Sequence, residues 1–380
     1  MKVAILSLRV RFGDVTGDCV QAEKTVAALR EIGVDAQRFY LEPETGNIFD
    51  ARNELLGKWE DTMMEMEVIH TIPPIPFAFL KRLPKVNAIL ATSTVFWNSW
   101  TWWKVVLRYS AKVNKNMIFA FIREICANVG VKLNNDKNGY ELLIANSEDE
   151  IRCVKKYCRL KRGSMLAAVP NAIDPIPQWV SELTRNEYGL KDDYVLVPAF
   201  FAPRKNQMTL INALKNFPYP VIFMGKGPML EKCKEIATSN LFFVGHIEHG
   251  TRKFYSLMKF ARVVCLPSNC ETPGIAGLEA AALGARPVVP YEGGTCQYYG
   301  WDAEYLNPIS EVSILKSVEN AWNRGRLPEV DSERFARLSW HQCAVVTKML
   351  YDRSLKSQGG DKIKIAFVLR VAALVLQEAA

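Results

Sequence analysis

Short apolar runs alternate along the chain with longer segments, several of which carry helical spacing. Residues 2–8, 67–70, 88–93, 142–146 and 165–169 each read as a buried strand. That rhythm predicts a parallel sheet with crossover helices. The first helix opens at Gly17-Asp18, repeats Cys19, Ala22, Val26 and Leu29 on one face, and meets Gly33 where a carboxyl-terminal cap belongs. The rhythm restarts after a proline-rich turn, Pro170-Asn171-Ala172-Ile173-Asp174-Pro175-Ile176-Pro177, which reads as a linker. A second strand set follows at 194–198, 220–224, 241–244, 262–266 and 287–290. The expected class is α/β, with two Rossmann-like doubly wound domains facing across a cleft. The boundaries expected are 1–170, a linker 171–177, a second domain 178–338, a terminal helix 339–357 packing back towards the first domain, and a tail 358–380.

Sheets of this kind bind ligands beyond the carboxyl ends of their strands, so the loops that follow strands are where chemistry is to be sought. After Leu266 comes Pro267-Ser268-Asn269-Cys270-Glu271-Thr272-Pro273-Gly274-Ile275-Ala276-Gly277-Leu278-Glu279, then an alanine-rich helix up to Gly284. A proline in the first helical turn and two glycines leave backbone N–H groups uncovered, which suits a diphosphate on the helix dipole. Glu271 is then expected in the loop. Glu279 is expected about a turn into the helix, where a carboxylate accepts hydrogen bonds from two vicinal ribose hydroxyls. An ordinary strand-to-helix connection with two exposed carboxylates explains the spacing equally well. Gly225-Lys226-Gly227-Pro228 follows a strand directly and suits close backbone approach to a nucleotide, although a plain tight turn is the commoner reason for such a pattern. Arg204-Lys205-Asn206-Gln207 opens a helix. Cations there oppose the helix dipole, which favours a phosphate-binding reason over a solvated helix start.

Charge sharpens the picture in one place. The chain carries 48 Lys plus Arg against 40 Asp plus Glu, a net +8, and it has no acidic residue between Glu67 and Glu124. Lys81, Arg82, Lys85, Lys104, Arg108, Lys112, Lys115 and Arg123 all fall inside that interval. If residues 100–116 are helical, Lys104, Arg108, Lys112 and Lys115 form one stripe flanked by Trp97, Trp100, Trp102 and Trp103. Such a surface suits a membrane interface or an anionic polymer; core tryptophans beside solvated lysines are the equal alternative. The basic run from Arg152 to Arg162 behind Glu148-Asp149-Glu150 reads as a solvated helix. His70 ends a strand, either as a polar ligand contact or as a simple strand terminus.

Several chemistries lack their residues. Nine cysteines occur without a Cys-x-x-Cys, and His-x-x-x-His, Gly-x-Ser-x-Gly and Asp-x-Asp are absent, so zinc hydrolysis, serine hydrolysis and metal-clamped diphosphate chemistry are not indicated. No run reaches the ~18–20 apolar residues of a membrane span, and the amino terminus has no cleavable leader pattern. A reduced, cytoplasmic setting is expected, with peripheral contact at the inner membrane surface as a further expectation.

Taken together, the loops resemble the GT-B-fold retaining glycosyltransferases of family four over roughly residues 1–355. The stretch 267–289 carries that family's Glu-x7-Glu element, and Pro203-Arg-Lys-Asn-Gln207, Met224-Gly-Lys-Gly-Pro228, Val244-Gly-His-Ile247 and Leu338-Ser-Trp340 look like its landmarks in order. Gly17-Asp-Cys-Val-Gln21 and Ala91-Thr-Ser-Thr-Val-Phe-Trp97 are similar to a bacterial and viral branch. The resemblance implies transfer of a sugar from a nucleotide diphosphate to an acceptor hydroxyl, without a metal and with no cofactor beyond the nucleotide sugar as co-substrate. It implies that Glu279 holds the ribose, Glu271 the sugar hydroxyls, and Lys205, with Gly274, Ile275, Ala276 and Gly277, the diphosphate. Arg204 joins Glu271 and Lys205 as a catalytic candidate. Gly17, Asn206, Gly225, Lys226 and Gly227 join the donor-binding set.

The acceptor is expected on the first domain, at His70, Trp97, Trp100, Trp103, Lys104 and Arg108. A glycan, a lipid-linked saccharide or another anionic acceptor is expected, with nucleic acid the less favoured partner. The sequence departs from the family pattern where relatives carry an arginine and it has Phe200, and where a glutamate is expected and it has Gln297. These departures motivate a rival expectation, a catalytically weak donor-binding scaffold or partner subunit. A phosphorylase or an epimerase on the same fold is a third. The tail from Lys362 to Val371 resembles another opening strand, as though a further module began there; a terminal helix over 366–378 is the alternative.

Overall fold

A computed structural model describes residues 1–8, 17–41, 61–72, 88–93, 140–157, 163–269 and 271–358. The described residues fall into two compact units, one comprising those up to Ala172 together with those from Trp340 onward, the other Ile173–Ser339.

The first unit is built on a six-stranded sheet in the order β2-β1-β3-β4-β5-β6. Its strands are β1 (Lys2–Leu8), β2 (Asp35–Leu41), β3 (Val68–Thr71), β4 (Ile89–Ser93), β5 (Leu142–Ala145) and β6 (Met165–Ala168), all paired in parallel. β3 and β5 are buried at every position. A parallel sheet covered on both faces needs such continuous apolar runs, which is why they are readable in the sequence. β2 had not been expected. It is an edge strand in which polar Asp35, Gln37 and Arg38 are interspersed with buried Ala36 and Phe39, so it lacks an apolar run.

Helix α1 (Gly17–Glu31) covers this sheet through Ala22, Val26 and Leu29, as its periodicity predicts. Gly33 at φ 79° ends it, with its N–H donating to the Arg30 carbonyl at 3.0 Å and that of Val34 to the Leu29 carbonyl at 3.0 Å. Helix α2 (Glu148–Tyr157) is opened by a reciprocal cap: the Glu150 N–H donates to Ser147 Oγ at 3.2 Å, and Glu150 Oε2 accepts the Asn146 N–H at 2.6 Å.

The second unit has its own six-stranded parallel sheet, in the order β12-β11-β10-β7-β8-β9. The strands are β7 (Val195–Pro198), β8 (Val221–Met224), β9 (Leu241–Gly245), β10 (Val263–Cys265), β11 (Arg286–Pro290) and β12 (Glu304–Leu306). The helices are α3 (Gln207–Leu214), α4 (Leu230–Glu235), α5 (Arg252–Phe260), α6 (Ile275–Ala282), α7 (Thr295–Tyr299), α8 (Glu311–Arg324) and α9 (Glu329–Ala336). β12, three residues long at the sheet edge, is too short for a sequence pattern. The strand order runs one way from β7 to β9 and the other way from β10 to β12. The loops after the adjacent strands β7 and β10 therefore meet at the point of reversal, where such sheets hold ligands.

After this unit, α10 (Trp340–Gln358) returns to the first one. It packs along α1 and places Ala344, Val346, Leu350 and Tyr351 in the core that holds Val3, Ile5 and Leu29. Among the described residues no helix is long and apolar enough to cross a membrane.

The Gly225-Lys226-Gly227 loop shows how closely two post-strand loops are locked together. Gly225 and Gly227 have φ of 151° and 147°, and a Cβ on them would lie 2.1 Å from the Ala199 carbonyl oxygen and 2.4 Å from that of Phe201. The Phe201 N–H donates to the Lys226 carbonyl at 2.8 Å, and the Met229 N–H to the Phe201 carbonyl at 3.2 Å. Both glycines thus admit the chain's own backbone. Gly227→Ala is expected to cost about 2–3 kcal/mol or more, because backbone rather than a flexible side chain must move. A urea unfolding midpoint within error of wild type would refute this.

Candidate functional site

The loop after β7 makes a 3-10 turn at Pro203–Lys205, then reverses at Asn206, the one non-glycine residue with positive φ among those described (59°). Asn206 is buried and its amide is engaged within the protein. Nδ2 donates to the carbonyls of Pro267 at 3.0 Å and Pro308 at 2.7 Å, and Oδ1 accepts the Thr209 hydroxyl at 2.7 Å. Expected as a donor contact, Asn206 instead fixes the turn that presents its neighbour. The Asn269 N–H closes the loops further by donating to the Arg204 carbonyl at 3.0 Å.

Lys205, so presented, donates from Nζ to both oxygens of Glu271, at 2.9 and 2.7 Å, with only 13% and 8% of the two side chains exposed. Burial by itself would push the Glu271 carboxyl up. The Lys205 ammonium, then the Arg204 guanidinium, overcome that and hold it below the ordinary carboxylate range. Arg204 is exposed on the same turn. The loop after β11 presses on this acid from another side: a Cβ on Gly293 would lie 2.1 Å from the Glu271 carbonyl oxygen.

Helix α6 begins at Ile275 with Gly274 (φ 85°) as its N-cap and without a side-chain cap. Pro273 therefore stands ahead of the cap, not in the first helical turn as expected. Glycine is required at 274 and 277 by the protein's own atoms. A Cβ at Gly274 would lie 2.6 Å from Leu266 Cδ1 and 2.8 Å from Glu271 Cγ, and one at Gly277 would lie 2.6 Å from the Tyr299 hydroxyl. That hydroxyl donates to the carbonyls of Pro273 and Gly274, each at 3.2 Å, which steadies the loop end from which Ile275, Ala276 and Gly277 continue.

Glu279 is buried in the middle of α6, and its Oε1 lies 2.6 Å from His249 Nε2. His249, on the loop after β9, packs its ring 4.7 Å from that of Phe254. No sequence pattern pointed to His249; the nearest signal was its place after a strand. Both carboxylates are buried, so the alternative of an ordinary connection carrying two exposed acids does not hold. Lys226 is exposed on its loop, Phe200 is partly exposed, with its carbonyl accepting from Gln207 Nε2 at 2.9 Å, and Gln297 lies in α7.

In the first unit Gly17 opens α1. His70 lies inside β3, not at its end, and is fully buried. Nδ1 lies 2.6 Å from the Tyr351 hydroxyl and Nε2 2.9 Å from Ser93 Oγ. Burial lowers its pKa to about 3, so the ring is neutral. The expected acceptor contact is thereby replaced by a strut joining β3, β4 and α10. It borders a water-sized cavity of about 20 Å³. Trp97, Trp100, Trp103, Lys104 and Arg108 lie outside the described residues, as does the tail beyond Gln358.

The family described as "Glycosyl transferases group 1" matches residues 181–300, which include Lys205, Glu271 and Glu279. The chain is similar to an uncharacterized glycosyltransferase, MJ1178, of Methanocaldococcus jannaschii, with 25% identity over 220 residues. That alignment covers 54% of this chain and 60% of the relative. Among solved structures it is similar to the sucrose-phosphate synthase of Thermosynechococcus elongatus (TM-score 0.73, 15% identity, 94% of this chain and 100% of that one). It is also similar to Anabaena HepE in complex with UDP-glucose (TM-score 0.62, 15% identity, again 94% and 100%). The two parallel-sheet, Rossmann-like units are thus the expected α/β architecture.

Proposed function

We propose that this chain is a retaining glycosyltransferase that moves a sugar from a nucleotide diphosphate to an acceptor hydroxyl. The observation that carries this reading is the buried Lys205–Glu271 pair at the reversal point of the second sheet, with Glu279 on the helix that follows. The family match over 181–300 supports it, as does the likeness to a protein whose structure holds UDP-glucose.

In this reading the uncapped start of α6 offers N–H groups and a positive dipole end to the diphosphate. Lys205 and the exposed Arg204 supply full positive charge beside it. When the bond from the anomeric carbon to the diphosphate oxygen breaks, that oxygen gains negative charge, and cations already in place stabilise it most. Glu271, kept ionised by Lys205, accepts hydrogen bonds from sugar hydroxyls. Glu279 accepts those of the ribose, which take the place of His249 Nε2. Arg204 covers the charge missing at Phe200. The acceptor is a glycan or lipid-linked saccharide bound by the first unit.

The test is transfer itself. UDP-, GDP-, ADP- and CMP-sugars are offered with saccharide and lipid-linked acceptors, nucleotide release is followed, and the product is read by NMR. A new glycosidic bond with the donor's anomeric configuration is expected. An inverted product would overturn retention. Failure of every donor with every acceptor would favour the scaffold reading motivated by Phe200 and Gln297.

A further inference from the structure

The second unit has another concave site, at the end of α6 away from Gly274. It is a cavity of about 610 Å³, within the range of small-molecule sites, floored by Phe260 and bordered by Arg185, Lys259 and Arg326. Lys259 donates from Nζ to the carbonyls of Val180, Ser181 and Leu183 at 2.8, 2.9 and 3.3 Å. Arg326 donates to the carbonyls of Ala261 and Leu283, at the ends of α5 and α6. Arg185 pairs with Asp193 at 2.6 Å, and Arg262 takes the other oxygen of the same carboxylate at 2.8 Å. Arg185 and Lys259 stand 5.7 and 5.3 Å from the centre of the Phe260 ring.

The charges here do not balance. Among the described residues Asp193 is the one carboxylate paired with any of these four cations. Two helix ends contribute about half a negative charge each, which leaves roughly two positive charges. The groups that bear electrostatically on Arg326 are Arg185 and Arg262, which repel it, and Asp193 and Tyr194; on Lys259, Arg326. Burial first, and then these like charges, lowers the pKa of both. Capping carbonyls explains why cations are present, but not why so few acids accompany them. Among the described residues Arg326 uses two of its five N–H donors on carbonyls, and the Arg185 guanidinium likewise keeps donors that Asp193 does not take.

We propose that this cavity binds a small phosphate-bearing anion, whose oxygens are forked by Arg185 and Arg326 above the Phe260 ring. The site is separate from Lys205 and Glu271 and does not depend on the transferase reading.

Calorimetry with inorganic pyrophosphate tests it, on wild type and on the Arg204→Ala/Lys205→Met/Glu271→Gln variant, in which both cations of the other phosphate site are removed. Saturable binding is expected in both. Arg185→Ala, which leaves Asp193 its Arg262 partner, and Gln178→Glu, which adds a negative charge at the exposed rim, are each expected to weaken it at least tenfold. Unchanged circular dichroism shows that these two variants are folded. A hexose 6-phosphate, titrated in parallel, identifies the source: tighter binding than pyrophosphate indicates a sugar phosphate, and equal or weaker binding a free phosphate or diphosphate. The proposal is overturned if pyrophosphate does not bind, or if its binding disappears with Lys205 and is indifferent to Arg185.

Discussion

Lys205→Met is expected to destabilise the protein by about 3–5 kcal/mol at neutral pH, the usual cost of removing one partner of a buried ion pair. The loss comes from Glu271, left buried with a charge that its burial alone disfavours. Its sign can be followed with pH. In wild type the Glu271 carboxyl is held low, so the pair's contribution is present above the unfolded carboxyl range and is lost as pH falls through the folded value. In Lys205→Met the folded carboxyl is pushed up, so the deficit is small in acid and grows as pH rises towards neutrality. Lys205→Met/Glu271→Gln is expected to recover most of the stability but not the turnover, which should fall by about 10²–10³ for want of the Lys205 donor at the leaving diphosphate and of the Glu271 carboxylate at the sugar hydroxyls. Chemical denaturation at pH 5 and pH 7.5 checks the first part. Equal deficits at the two pH values, or no rescue in the double variant, would contradict the account of the pair.

A second large effect is expected in the first unit. His70 titrates at about 3 when folded because it is buried, against roughly 6.5 for an unperturbed histidine. The folded state therefore binds fewer protons than the unfolded one throughout that window. Stability is full above about pH 6.5 and falls with pH by up to about 1.4 kcal/mol per unit, reaching about 2 kcal/mol of loss at pH 5. His70→Gln is expected to lower stability at pH 7.5, because the contacts to Tyr351 and Ser93 are strained or lost. It should also flatten the profile between pH 7 and 5. An unaltered slope in that variant would show that His70 does not carry the acid sensitivity.

The sequence revealed the strands that are apolar runs, edge strand β9 among them although little of it is buried, and hid two edge strands that are not such runs. β3 and β5 are buried at each residue and were readable as apolar runs; β2 and β12 are edge strands, one mixed in polarity and one short. The loops bearing Lys205, Glu271 and Glu279 could be found because chemistry in doubly wound sheets follows strand ends. Their pairing could not. Lys205 and Glu271 are 66 residues apart, and it is the adjacency of β7 and β10 that brings them together. His249 was invisible, since one histidine in a loop forms no period and its partner is 30 residues away. His70 went the other way. Its position near a strand end suggested access, whereas α10 returns from the far end of the sequence to bury it against Tyr351. The glycines of 225–227 and 274–277 were legible as close approaches, but backbone and side chains of the protein itself fill the space beside them.

The most direct measurement of the central claim is calorimetric titration of nucleotide sugars into wild type, Glu279→Ala and Lys205→Met/Glu271→Gln. One donor class is expected to bind wild type and to raise its unfolding free energy by about 2.7 kcal/mol at 100 times the dissociation constant. Glu279→Ala should lose the part of that affinity owed to the ribose, about 1.5–3 kcal/mol for a charged acceptor, and the double variant the parts owed to Lys205 at the diphosphate and to Glu271 at the sugar hydroxyls. Binding that is equal in all three proteins, or absent with every nucleotide sugar, would contradict the assignment of Lys205, Glu271 and Glu279 as the donor site.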